Sequence, residues 1–109
     1  MRIIGLKNCD TCRAALKALG AVSDALLVDV RAEPIGRDDI ARYHAAFGPA
    51  LVNTRSATWR GLNEAARGMD PVDLIAAHPA VMKRPVIEAG DQLYLGWGPE
   101  VRAALLGEA

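Results

Sequence analysis

The six residues NCDTCR, at positions 8–13, contain both cysteines of this chain of 109 residues. The apolar run Ile3–Leu6 before them is typical of a β-strand, and the run Ala14–Leu19 after them is typical of a helix. The pattern therefore predicts that the two thiols lie where a strand gives way to the first turn of a helix. Unpaired backbone N–H groups and the positive end of the helix dipole gather at such a place, and both favour a thiolate.

The spacing of the two cysteines also suits a reversible disulfide. Residues three apart on a helix have Cβ atoms about 5–6 Å apart, and a disulfide needs a Cβ separation of about 3.8 Å, so a modest adjustment would close the bridge. We expect Cys9 to be the attacking thiolate because it is nearer the helix end and solvent, and Cys12 to be the resolving thiol. Lys7 and Arg13 add positive charge nearby, whereas Asp10 adds a negative charge, so the sequence predicts a modest lowering of the Cys9 pKa.

Two other interpretations of the cysteine pair are open at this point. The spacing could be accidental, with Cys12 serving as a small buried apolar residue. Alternatively, the pair forms half of a zinc site, which as a rule has four ligands. The two histidines, His44 and His78, lie far apart in sequence, and no second Cys-x-x-Cys or His-x-x-x-His occurs. The redox interpretation is favoured because position and flanking sequence both match a redox motif, and we expect no metal and no bound cofactor.

The size and charge of the chain indicate its number of domains and the kinds of partner that it binds. Its length is that of one domain with a substantial core. Thirteen basic and thirteen acidic residues cancel, so no net field favours nucleic acid or a membrane as a direct partner. No apolar run approaches the roughly 20 residues that span a bilayer, and the N-terminus shows no signal-peptide pattern. We therefore expect a cytoplasmic protein, in which a disulfide is transient and chemical.

The remaining elements follow from local start and stop signals. The sequence predicts a strand at Leu26–Val30, a helix at Arg37–Phe47, a short turn capped by Ser56, a helix from the Asp70 cap to about Ala77, strands at Pro85–Glu88 and Gln92–Leu95, and a helix from Gly98 to Leu106. A strand–helix–strand order implies a parallel pair with a right-handed crossover. We expect a single domain over residues 1–109 with an α/β, thioredoxin-like fold. Its central sheet is four-stranded and mixed, with a helical insertion at about residues 36–80, between the second and third strands.

Four motifs, in order, resemble those of the arsenate reductase (ArsC)/Spx family. They are NCDTCR at 8–13, NTRS at 53–56, HPAVMKRPV at 78–86 and LGW at 95–97. The resemblance covers nearly the whole chain, and the short ArsC-like reductase branch fits best. It implies a thioredoxin-like fold in which Cys9 is the nucleophile, Arg84 lies over the thiol and the bond before Pro85 is cis.

The same resemblance implies an activity and a set of residues around the nucleophile. The expected activity is that of a thiol-dependent reductase acting by thiol–disulfide exchange on a small thiol compound or a protein disulfide, with glutathione or a similar thiol as co-substrate. The expected catalytic residues are Cys9, Cys12 and Arg84. The expected substrate-binding residues are Asn8, Thr11, Arg13, Arg55, Lys83 and Pro85. Thr11 could hydrogen-bond the Cys9 sulfur or satisfy the local backbone, and Lys83 and Arg55 could add to the positive potential that Arg84 supplies.

Two alternative functions within the resemblance are arsenate reduction and redox-gated transcriptional regulation through binding of RNA polymerase, as in Spx. Arsenate reductases have an arginine where this chain has Asn53, and a further arginine that has no counterpart between Leu93 and Trp97. Because oxyanion pockets use arginines for bidentate contacts, these departures disfavour arsenate. The second cysteine is a feature of Spx-type regulators, so the choice between enzyme and regulator is open.

Overall fold

The computed structural model describes residues 1–107 and separates them into two units. The first unit contains Met1–Asp29 and the chain from Arg84 onward, and the second is Val30–Lys83. The predicted insertion at about 36–80 falls inside the second unit. The assignment of residues 1–109 to one domain stays a prediction, and its last two residues lie outside the described part of the chain.

The first unit contains a four-stranded mixed sheet, as predicted. Its strands are β1 at Arg2–Gly5, β2 at Leu26–Asp29, β3 at Val86–Ala89 and β4 at Gln92–Leu95, in the order β2-β1-β3-β4. β1 is parallel to β2 and antiparallel to β3, which pairs antiparallel with β4. Every strand boundary is within one residue of the prediction. The last residues of β1 and the first of β3 consequently meet at the same end of the sheet.

Two helices of the first unit, α1 at Asp10–Gly20 and α6 at Pro99–Leu106, contact each other. Ile3 of β1, Leu19 of α1 and Ile87 of β3 form a core cluster without solvent exposure. Burying each such side chain contributes about 1.5–3 kcal/mol. Half-buried side chains pack against the cluster, among them Leu16, Tyr94, Trp97, Val101 and Leu105. The core therefore fixes the first helix against the central strand.

The second unit is helical. It contains α2 at Arg37–Phe47, α3 at Ala57–Arg60, α4 at Glu64–Arg67 and α5 at Pro71–Ala77, with 3₁₀ turns at Gly48–Leu51 and Pro79–Val81. α2 packs against α5, where Arg37 and Asp73 form an ion pair. The longest helices over residues 1–107, α1 and α2, have 11 residues each, and none there is long and apolar enough to span a bilayer.

Capping residues decide where the short helices of this unit begin. The carboxylate of Asp70 accepts from the N–H of Val72 at 3.0 Å, as the sequence predicts. The hydroxyl of Ser56 accepts from the N–H of Trp59 at 3.1 Å and starts α3. α4 was not predicted, although the signal is present, since Asn63 caps it in the same way.

Candidate active site

The loop between β1 and α1 is held by backbone hydrogen bonds. The N–H of Cys9 donates to the carbonyl of Leu6 at 3.2 Å, and the N–H of Arg13 donates to the carbonyl of Cys9 at 2.9 Å as α1 begins. The N–H of Lys7 donates to the carboxylate of Asp29 at 3.0 Å, which ties the loop to the end of β2. The first cysteine is thereby fixed at the N-cap position of α1.

Cys9 and Cys12 are both free thiols, and they lie close enough to hydrogen-bond. Cys9 forms no regular side-chain cap, but the backbone N–H of Cys12 faces its sulfur, as do the Cys12 thiol and the Arg84 guanidinium. Partial burial works to raise the pKa of Cys9, but these three neighbours together outweigh burial and lower it. The direction agrees with the sequence prediction, and Cys9 is the thiol that ionises more readily.

The pKa of Cys12 is shifted in the opposite direction. Its side chain has no solvent exposure, and burial, helped by the neighbouring Cys9 sulfur, raises the pKa of Cys12 to about 11 against the opposing influence of the Leu6 N–H and Arg84. It therefore keeps its proton at neutral pH and offers that proton to the Cys9 sulfur. One ionised sulfur beside one protonated sulfur is the arrangement that a nucleophile and a resolving thiol require.

Arg84 reaches the cysteines from the residue pair that precedes β3. The Arg84–Pro85 peptide bond is cis, as the resemblance implies. The carbonyl of Pro85 accepts from the N–H of Gly96 at 2.8 Å. Gly96 has a φ of 81°, a left-handed conformation that glycine adopts at little cost. The turn after β4 thus anchors the segment that carries the active-site cation.

Two charges that the sequence places near Cys9 pair with each other. Arg13 and Asp10 form an ion pair with each other, and the Asp10 side chain is 95% exposed to water. The groups that shift the pKa of Cys9 are Cys12 and Arg84, and neither Asp10 nor Arg13 is among them. The lowered pKa of Cys9 is thus explained by Cys12 and Arg84, and the influence of the exposed Asp10–Arg13 pair on the thiolate stays a prediction.

Of the other predicted substrate-binding residues, Pro85 is buried and the rest lie at exposed positions. Asn8 and Thr11 flank Cys9 and are exposed, and Cys12 and Arg84, rather than Thr11, are the hydrogen-bonding partners of the Cys9 sulfur. Lys83 and Arg55 are exposed residues of the second unit. The N–H of Arg55 donates to the side-chain oxygen of Asn53 at 3.0 Å. The part that these residues play in binding a substrate stays a prediction.

Two residues of the site, Gly5 and Asp29, were not predicted from the sequence. Asp29 ends a strand, and its carboxylate holds the cysteine loop. Gly5 ends β1 and is buried. A glycine inside an apolar strand pattern often marks a close approach by another part of the chain, so a signal for Gly5 was available.

A zinc site at the cysteines would need further ligands, as a rule two more. Over residues 1–107, no group of three or more His, Cys, Asp or Glu side chains is placed to hold a metal ion. The two thiols thus have no third such side chain beside them in the described part of the chain.

The chain matches the ArsC family over residues 4–105. An uncharacterized protein from Haemophilus influenzae is 32% identical over 101 residues, which are 87% of this chain and 89% of that protein. The solved structure of a YffB protein has a TM-score of 0.87 and 32% identity, covering 96% of this chain and 97% of the other.

A second solved structure is that of an arsenate reductase (ArsC) related protein from Brucella melitensis. It has a TM-score of 0.69 and 28% identity, and the match covers 96% of this chain and 92% of the other. These structures confirm the expected fold, and the family match extends over nearly all of the sequence. The chain therefore belongs to the ArsC family.

Proposed function

We propose that the protein is a thiol-dependent reductase that acts by thiol–disulfide exchange through Cys9 and Cys12, with glutathione or a similar thiol as reductant. Membership of the ArsC family supports a thiol-based reductase. The proposal depends on one observation above all, the contact of the Cys9 sulfur with both the Cys12 thiol and the Arg84 guanidinium.

In the first step, the Cys9 thiolate attacks one sulfur of a disulfide substrate. A Cys9–substrate bond forms as the substrate S–S bond breaks, and the other half of the substrate leaves as a thiolate. The N–H of Cys12 and the charge of Arg84 stabilise the attacking thiolate. Arg84 also lies beside the reacting sulfur, where it can stabilise the negative charge of the leaving group.

In the second step, Cys12 loses its proton to solvent and attacks the Cys9 sulfur of the mixed disulfide. The Cys9–Cys12 bond forms, and the second half of the substrate leaves as a thiolate. The negative charge of Cys9 is one of the causes that raise the pKa of Cys12, and mixed-disulfide formation removes that charge. Capture of a substrate therefore makes Cys12 easier to ionise at the moment when it has to attack.

In the third step, two molecules of glutathione or of a similar thiol reduce the Cys9–Cys12 disulfide and are themselves joined by a disulfide. The cycle converts one substrate disulfide into two thiols and oxidises two reductant thiols, so the electrons balance. No further cofactor takes part in the proposed cycle.

A paired assay tests this function. A glutathione mixed disulfide and arsenate are offered separately, in the presence of glutathione, to the wild type, Cys9→Ser and Cys12→Ser. We expect the wild type to turn over the mixed disulfide, Cys9→Ser to be inactive, and Cys12→Ser to accumulate a stoichiometric adduct at Cys9 that excess glutathione releases slowly. Undiminished turnover by Cys9→Ser would refute the proposal. Turnover of arsenate that depends on Cys9 would replace it with arsenate reduction.

A further inference from the structure

Gly5, the last residue of β1, is in unusually close contact with Cys12. A Cβ atom at Gly5 would lie 2.4 Å from the Cys12 Sγ, 3.4 Å from the Cys12 Cβ and 3.8 Å from the Arg84 Cβ. The optimal separation of non-bonded carbon atoms is about 3.5–4.0 Å. The sulfur of Cys12 thus occupies the space that any other side chain at position 5 would take.

Position 5 calls for glycine because there is no room for a side chain, and not because of the backbone conformation. Gly5 is not among the glycines with positive φ in this chain, so its φ is one that other residues also adopt. Side chains alternate along a strand, so position 5 faces the same side as Ile3, which packs against Leu19 of α1. The position in β1 that has no side chain therefore faces the first turn of α1, where Cys12 lies.

We propose that Gly5 is a positioning residue for the resolving step. Its missing side chain lets the Cys12 sulfur lie against β1 within reach of Cys9. This inference rests on the proposed exchange reaction, since it assigns Gly5 to the second of its steps. Because Cys12 has no solvent exposure, a methyl group at position 5 leaves the sulfur little room except by turning away from its present position.

Under this proposal, a substitution at Gly5 affects the two chemical steps differently. Cys9 lies at the helix N-cap and partly in solvent, and it contributes none of the three atoms nearest to a Cβ at position 5. A substitution at Gly5 should therefore spare capture of a disulfide by Cys9 and impair closure by Cys12. A misplacement of a reacting group by about 1 Å can cost on the order of 100-fold in rate.

The steps can be followed with a symmetrical nitrophenyl disulfide that releases one coloured thiolate at each exchange. The first thiolate is released when Cys9 attacks, and the second when Cys12 closes the protein disulfide. In Gly5→Ala we expect the first release within about twofold of the wild type and the second at least about tenfold slower. The matched control is Gly20→Ala at the end of α1, where a Cβ meets nothing within 4 Å, and both releases should be unchanged. An unchanged second release in Gly5→Ala would overturn the proposal.

A double-mutant cycle covers the case in which Gly5→Ala folds poorly. Thermal denaturation of Gly5→Ala is compared in the wild-type and Cys12→Ala backgrounds. If the sulfur is the obstacle, the added methyl should lower the melting temperature clearly more when Cys12 is present. Equal decreases of the melting temperature in both backgrounds, or failure of both Gly5→Ala proteins to fold, would overturn the proposal. The methyl group would then destabilise β1 whether or not the Cys12 sulfur is present.

These measurements do not depend on the natural substrate. The glutathione mixed disulfide could fail to turn over while Gly5→Ala slows only the second thiolate release. In that case the proposed function fails and the role of Gly5 stands. If turnover is found and closure in Gly5→Ala is normal, the function stands and the role of Gly5 fails.

Discussion

Removal of the Arg84 guanidinium should slow the reaction of Cys9 with a small alkylating reagent at neutral pH. Arg84 donates a hydrogen bond to the Cys9 sulfur and places a positive charge beside it, and both lower the pKa of Cys9. Arg84→Ala removes both interactions, whereas Arg84→Gln removes the charge and keeps a hydrogen-bond donor. The backbone N–H of Cys12 faces the sulfur in either variant, so part of the stabilisation of the thiolate should remain.

The size of the effect follows from the loss of one charge-assisted hydrogen bond. Such a bond contributes about 1.5–3 kcal/mol, and because Cys9 is partly exposed, water replaces part of it and the lower end applies. About 1.4 kcal/mol corresponds to a tenfold smaller thiolate fraction. A more basic thiolate is also more nucleophilic, with a Brønsted coefficient of about 0.4–0.5. The two effects together predict an alkylation rate about threefold lower in Arg84→Ala, and a smaller decrease in Arg84→Gln.

The assay is the alkylation rate of the Cys9 peptide, followed by mass spectrometry from about pH 5 to pH 10, which brackets the ordinary thiol pKa. The midpoint of the profile should move to higher pH in Arg84→Ala. The matched control is the double substitution Asp10→Asn/Arg13→Gln, which removes both charges of the neighbouring ion pair, and its profile should be unchanged. The reasoning is refuted if folded Arg84→Ala keeps the wild-type profile, or if the double variant shifts it equally.

Three further predictions concern other ionisation and hydrogen-bonding features of the chain. The raised pKa of Cys12, about 11 against an ordinary 9.0, means that the folded state holds this proton more tightly. The reduced protein should therefore lose of the order of 2 kcal/mol of unfolding free energy between about pH 9 and pH 11. Urea titrations should show a smaller loss in Cys12→Ala, and equal losses would contradict the assignment. Asp29→Ala removes the acceptor of the Lys7 N–H and should cost about 1 kcal/mol in thermal denaturation. Asp24→Ala should cost less, because Asp24 accepts through its backbone carbonyl, and an equal cost would count against the loop contact. Ser56→Ala removes the cap of α3 and should cost about 1 kcal/mol in urea unfolding, and an unchanged midpoint would contradict that role.

Much of the fold was predictable because its signals are local. α5 begins at a Pro after an Asp cap, and α6 ends at Gly107 in the left-handed conformation. The strand–helix order at the N-terminus is enough to predict a parallel pair and two thiols at the junction. α4, by contrast, was missed because it is four residues long, and so short an element gives almost no periodicity to detect.

The groups that surround the sulfur atoms were less predictable. Sequence proximity favoured Asp10 and Arg13 as the charges acting on Cys9, yet these two neutralise each other in water. Arg84 acts on the sulfur instead, and only its resemblance to a family motif indicated this. Proximity along the chain says little about which face of a helix a charge occupies once it finds a partner.

The order of residues in this chain was sufficient to place a nucleophilic and a resolving thiol at the start of a helix, because capping, periodicity and turn chemistry act over a few neighbouring residues. It was not sufficient to say which cation meets the thiolate or how much room the second sulfur has. Those two properties arise from the antiparallel pairing of β1 with β3 and the packing of α1 on β1. This pairing brings Gly5 and Arg84 together from opposite ends of the chain, and contacts of that kind exist only after folding.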